Sequence, residues 1–137
     1  MELNLFDSDA TDFDAHIYIR MLIAIAKADP DNGPPEFDFV RRQARNFSLD
    51  YDGYLATTDK SFGIEKQRVS RRTALTILKD AILLASLDGN FSLPEKQRVY
   101  TYAEKLNVPR ADVDTLETLI DDFRPLHHRW QKLLISV

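Results

Sequence analysis

The residues of this 137-residue chain best suited to chemistry are four acids in two pairs of identical spacing. Glu36 follows Asp29 by the same interval as Glu95 follows Asp88, and the two pairs stand 59 residues apart. Carboxylates on either side of a short turn can cap helix amides or offer hard oxygen ligands to a divalent cation. Asp31 and Asn90 add further side-chain oxygens to the same two turns.

Ligand counting limits the metal reading. Calcium takes about six to eight oxygens and magnesium about six in near-octahedral order, so one Asp and one Glu per turn make at best a weak site. Ser92, turn carbonyls and water could complete it, or the two turns could face each other and pool their carboxylates. Neither turn is an EF-hand, because the twelfth residue counted from Asp29 is Val40 and from Asp88 is Val99, where that loop needs a bidentate Glu. The cap reading needs no ligand. Ser92 and Glu95 have the spacing of a capping box, Asp88-Gly89 suits a helix-ending turn, and Glu36 sits in a first turn where the helix dipole favours negative charge. Asp29 and Asp31 suit a turn around Pro30.

Other chemistry has little to rest on, and no enzymatic activity is expected. Cysteine is absent, which removes disulfides, thiolate zinc sites and cysteine nucleophiles and agrees with a reducing, cytoplasmic setting. His127 and His128 are adjacent, so on a helix they point about 100° apart and cannot chelate together. His16 stands alone. There is no metalloprotease, nucleophile-elbow, phosphate-loop or dinucleotide motif. The net charge of -4 is concentrated in residues 1–68, with 13 acids against 8 bases, which argues against duplex nucleic acid as a partner. The longest apolar runs, 21–26 and 81–87, fall far short of the roughly 20 residues of a membrane-spanning helix, and the acidic start is unlike a signal peptide.

The elements that must position the acids are helices. Ile17, Met21, Leu22, Ile25 and Ala28 recur at helical spacing and predict a helix over 12–28, capped by Thr11 or Asp12 and ended at Asp29-Pro30. Pro34-Pro35 opens a second helix, with Phe37, Val40, Ala44 and Phe47 on its core face. A short irregular helix is expected at 51–59. A nearly all-round apolar helix from Val69 or Ser70 to Leu87 belongs at the centre. Helices then follow from Ser92, burying Val99, Tyr102, Ala103 and Leu106, from Pro109, and separately from Pro125.

The fold class is therefore all-α, a single compact domain of six to seven helices. The 59-residue offset also pairs Val40 with Val99, Ala44 with Ala103 and Phe47 with Leu106, so a duplicated unit of helix, acidic turn and helix is expected. Repeat 1 covers about 12–64, repeat 2 about 70–123 and a closing helix 125–135, behind an acidic N-terminal segment at 1–11. The two long first helices are expected to pack centrally about a pseudo-twofold axis. On the closing helix, Leu126, Trp130, Leu133 and Leu134 form one stripe, with His128, Arg129 and Lys132 off it. That stripe either closes the core or, if Trp130 is exposed, makes Trp130 and Arg129 the centre of a partner-docking face.

The string Leu83-Leu84-Ala85-Ser86-Leu87-Asp88-Gly89-Asn90-Phe91-Ser92-Leu93-Pro94-Glu95, followed by Leu106-Asn107-Val108, resembles the signature of the TerB-like family, which joins tellurite-resistance TerB proteins and the related domain of DjlA-type co-chaperones. The second copy matches throughout, whereas the first has its glycine displaced to Gly33 and prolines at 30, 34 and 35. The resemblance implies a bacterial, cytoplasmic helical protein tied to metal or oxyanion stress, with protein partners that include membrane-associated ones. It also implies a weak divalent-cation site, calcium or magnesium, at Asp88 and Glu95, then Asp29 and Glu36, with Asp31 and Asn90 as extra oxygens.

Overall fold

The computed structural model of the chain describes residues 12–136 and is all-α, with no strand among them. Six α-helices, α1 (Ala15–Ala28), α2 (Pro34–Asn46), α3 (Tyr51–Thr57), α4 (Arg71–Ala85), α5 (Leu93–Lys105) and α6 (Arg110–Ile135), are joined by short turns and one 3-10 segment at Lys60–Ile64. The N-terminal segment expected at 1–11 lies outside the described residues.

Helix α1 starts three residues later than the periodicity predicts. Its cap is Asp14, whose carboxylate accepts from the Ile17 amide at 3.0 Å, rather than Thr11 or Asp12. A tertiary contact fixes that choice, since the Asp14 amide donates to Thr73 Oγ1 on α4 at 3.0 Å. Helix α4 is capped by Ser70, one of the two residues expected there, and ends at Ala85 rather than Leu87. The Ser86 hydroxyl bonds back to the Ile82 carbonyl at its C-cap. Tyr18 through Ala26 of α1, with Arg20 half-buried, and Thr73 through Leu84 of α4, with Leu75 half-buried, are otherwise buried.

These two helices pack on each other and organise the rest. α2, α3 and the 3-10 segment gather on α1, and α5 and α6 on α4. The core joins Ile19, Leu22 and Ile23 to Phe39 and Val40 on one side, and Ile77, Leu78 and Ile82 to Val99, Val113 and Ile120 on the other. Phe47, expected in the core, is partly exposed but stacks on Phe13 with centroids 5.0 Å apart.

A cluster of polar side chains is sunk into this core. Tyr18 donates to Asp80 at 2.5 Å, and Asp80 pairs with Lys79 at 3.3 Å, with Gln43 beside the phenol. Burying such groups is tolerable only where they satisfy one another. α2 and α5 end alike: Ser48 and Asn107 take left-handed φ values of 55° and 59°. The amides of Leu49 and Val108 bond the carbonyls of Ala44 and Ala103 at 2.9 and 2.8 Å, closing each helix.

The largest departure is at the C-terminus. No separate closing helix begins at Pro125; α6 runs unbroken through it. Proline deprives the Asp121 carbonyl of its intrahelical donor. Both residues are exposed, so water can take that carbonyl, and the helix continues. The closing stripe does not enter the core: Leu126, Trp130, Leu133 and Leu134 are 58%, 56%, 67% and 61% exposed.

Candidate functional site

Each acidic turn follows a helix that delivers its aspartate at the C-terminal end. Asp29, the C-cap of α1, accepts from the Asp31 amide at 2.9 Å; Asp88, beyond α4, accepts from the Asn90 amide at 3.0 Å. Both are local aspartate turns of the same geometry. Glu36 then accepts from the Gly33 amide at 3.2 Å, and Glu95 from the Ser92 amide at 2.9 Å. Glu95 completes the reciprocal box, because its own amide donates to Ser92 Oγ at 3.3 Å. Gly33 has no side chain to return that bond.

The turns meet in part. Asp29 and Asn32 from the first and Glu95 from the second line one small cleft of about 30 Å³, floored by Ile25, Ala81, Leu84 and Val99 and closed by Arg98 and Tyr102. That volume is enough for a water molecule. Asp31, Glu36, Asp88 and Asn90 are not among its lining residues. Arg98 puts a fixed positive charge at the cleft, 3.4 Å from the Asp29 carboxylate. Burial pushes the Tyr102 phenol above its ordinary value; Arg98 opposes that rise and Asp29 adds to it.

The donor set fits a cap better than a cation. Asp29, Glu36, Asp88 and Glu95 each already accept a backbone amide, and the two that share the cleft, Asp29 and Glu95, share it with a guanidinium. Among the described residues no three His, Cys, Asp or Glu side chains group as metal ligands would.

The sequence reading missed Arg98, Tyr102 and Asn32, which shape the cleft. Arg98 lies 69 positions from Asp29, and its spacing gave no hint of the pair. Asn32 could have been suspected from its place in an aspartate-proline turn; its side chain donates to the Ala26 carbonyl at 2.9 Å and ties the turn to the end of α1. Arg124 was also missed. It donates to Ser86 Oγ at 2.6 Å, fastening α6 to the end of α4, while His127 beside it stacks on Phe123.

Trp130 and Arg129 lie together on the exposed second half of α6. After Asp122 the chain contains no further acid, but it contains Arg124, Arg129 and Lys132. The exposed stripe of Leu126, Trp130, Leu133 and Leu134 is thus an apolar face flanked by positive charge. Exposed apolar patches of this kind mark interaction surfaces.

No protein-family model matches the chain, and neither a curated protein nor a solved structure shows significant similarity to it. No helix among the described residues is long and apolar enough to cross a membrane.

Proposed function

We propose that the chain is a non-catalytic, TerB-like adaptor that docks partner proteins through the outer half of α6, with its acidic turns serving as helix caps. The exposure of Leu126, Trp130, Leu133 and Leu134 carries this reading. Burying a Trp and three Leu is favourable on the order of several kcal/mol, and in this fold their own core does not receive them. Arg129 beside Trp130 adds the residue type that most often joins Trp at binding hot spots.

The amide bonds accepted by Asp29, Glu36, Asp88 and Glu95 support the cap role. The TerB-like assignment, and with it a bacterial stress or tellurite setting in the cytoplasm, is supported by residues 83–95 and by the second turn's capping box. A duplicated unit is supported by the 59-residue offset shared by the two aspartate turns, the two glutamate caps and the left-handed Ser48 and Asn107.

Titration of calcium, magnesium, manganese and zinc, followed residue by residue in amide NMR spectra, tests the reading. The expected spectra stay unshifted at 29–36 and 88–95 in the wild type and in Asp88→Asn/Glu95→Gln alike. Shifts confined to those residues, saturating below millimolar metal and lost in the double variant, would replace the cap reading with a metal site.

A further inference from the structure

We infer that the partner received by this face is a second copy of the chain, the outer halves of two α6 helices pairing antiparallel about a twofold axis near Pro125. The inference rests on the reading of α6 as a docking surface and adds the occupant.

Leu119, Phe123, Leu126, Trp130 and Leu133 recur at alternating spacings of four and three, a spacing that gives one face of the helix the register of a coiled-coil seam. The inner turns of α6 already use Val113, Leu116 and Ile120 against the body. Leu119 is 47% exposed, and Phe123, half-buried where it packs against the core and stacks on His127, keeps one side outward, so the seam's inner end adjoins the buried stripe. In an antiparallel pair, Trp130 falls opposite Leu119 of the second copy and Phe123 opposite Leu126.

Charge selects the orientation. Asp122 and Arg129 each directly precede a seam residue of the same class, Phe123 and Trp130, and so flank the seam on one side. Antiparallel helices bring these flanking positions together, and the twofold axis then makes two Asp122–Arg129 pairs. Parallel helices would instead set Asp122 against His127 and Arg129 against Leu134, which forms no such pair. A lipid surface would accept the basic outer face but has no use for a seam period or for Asp122.

Sedimentation equilibrium of the full chain tests this. The wild type is expected at twice the chain mass at tens of micromolar. Asp122→Arg alone and Arg129→Asp alone, both with wild-type helicity by circular dichroism, should each raise the dissociation constant at least about tenfold, because each places like charges at both pairs. An equimolar mixture of the two single variants should dimerise again, since the mixed dimer restores both opposite-charge pairs. A dimer indifferent to both substitutions overturns the antiparallel seam. A monomeric wild type overturns self-pairing. In that case a blue shift of Trp130 emission on anionic phospholipid vesicles would reassign the face to a lipid surface, and an unmoved emission would exclude lipid as well as a second copy as its occupant.

Discussion

In the first acidic turn Glu36 accepts an amide from a glycine that has no side chain to answer it, whereas in the second Ser92 returns the bond to Glu95. The backbones differ as well. Gly89 takes φ +86°, a conformation that side chains with a Cβ resist, while Gly33 is extended at φ -136° with open space around its missing Cβ. The first turn keeps its local aspartate and glutamate bonds but is also tied outward, by its Asn32 to the Ala26 carbonyl and by Arg98 to Asp29; the second is held by its own residues, including the Ser92 cap. One acidic spacing can thus be stabilised locally or by the rest of the fold, and only the locally stabilised version leaves a full motif in the sequence.

Substitutions at matched positions should separate the two. Gly89→Ala is expected to cost about 1–2 kcal/mol in denaturant unfolding through its left-handed φ, against about 0.5–1 kcal/mol for Gly33→Ala, where the cap position prefers glycine to alanine. Equal costs would mean that the two turns are not distinguished by backbone strain. Next in size, Ser92→Ala should cost about 1 kcal/mol, and Gly33→Ser should gain a few tenths by supplying the missing half of the box. A Gly33→Ser variant without gain would show that the entry angle of α2 is set by its prolines alone.

The smallest effect belongs to Arg98→Ala. The Asp29 pair is partly solvated and worth about 0.5 kcal/mol or less. The same change removes the influence that opposes the rise of the Tyr102 pKa, so that phenol should titrate still higher, read by ultraviolet difference absorbance. Because its folded pKa lies above the ordinary 10.0, the stability it contributes is present below that value and is lost as pH climbs past it.

The helices were legible wherever one local signal stood alone. Ser92-x-x-Glu95 marked the start of α5, Pro34-Pro35 the start of α2, and the apolar circumference of α4 its central place. Legibility failed where several local signals competed or a local rule lost to context. Thr11, Asp12 and Asp14 all suit a cap, and the amide bond to Thr73 on another helix chooses Asp14. Pro125 reads as a helix start because its missing N–H is harmless there; the structure places it mid-helix on a wet face, where the loss is also harmless. The apolar stripe after it was readable, but periodicity reports that a helix has two faces and not whether the body of the protein extends far enough to cover one. The Tyr18, Lys79 and Asp80 group in the core left no trace in the apolar patterning, since charged residues on a central helix look like breaks in its stripe.

The uninterrupted passage of α6 through Pro125 has a kinetic meaning. A helix is as durable as the contacts its turns make, and the missing amide falls where those contacts run out. The inner turns can open only when α4 and α5 let go, while the outer turns can fray alone, so one continuous helix contains two exchange regimes meeting at the proline. Amide protons beyond Pro125 then run faster than those of the inner turns of the same helix, and any surface that closes over Trp130 will be seen as a slowing of that exchange.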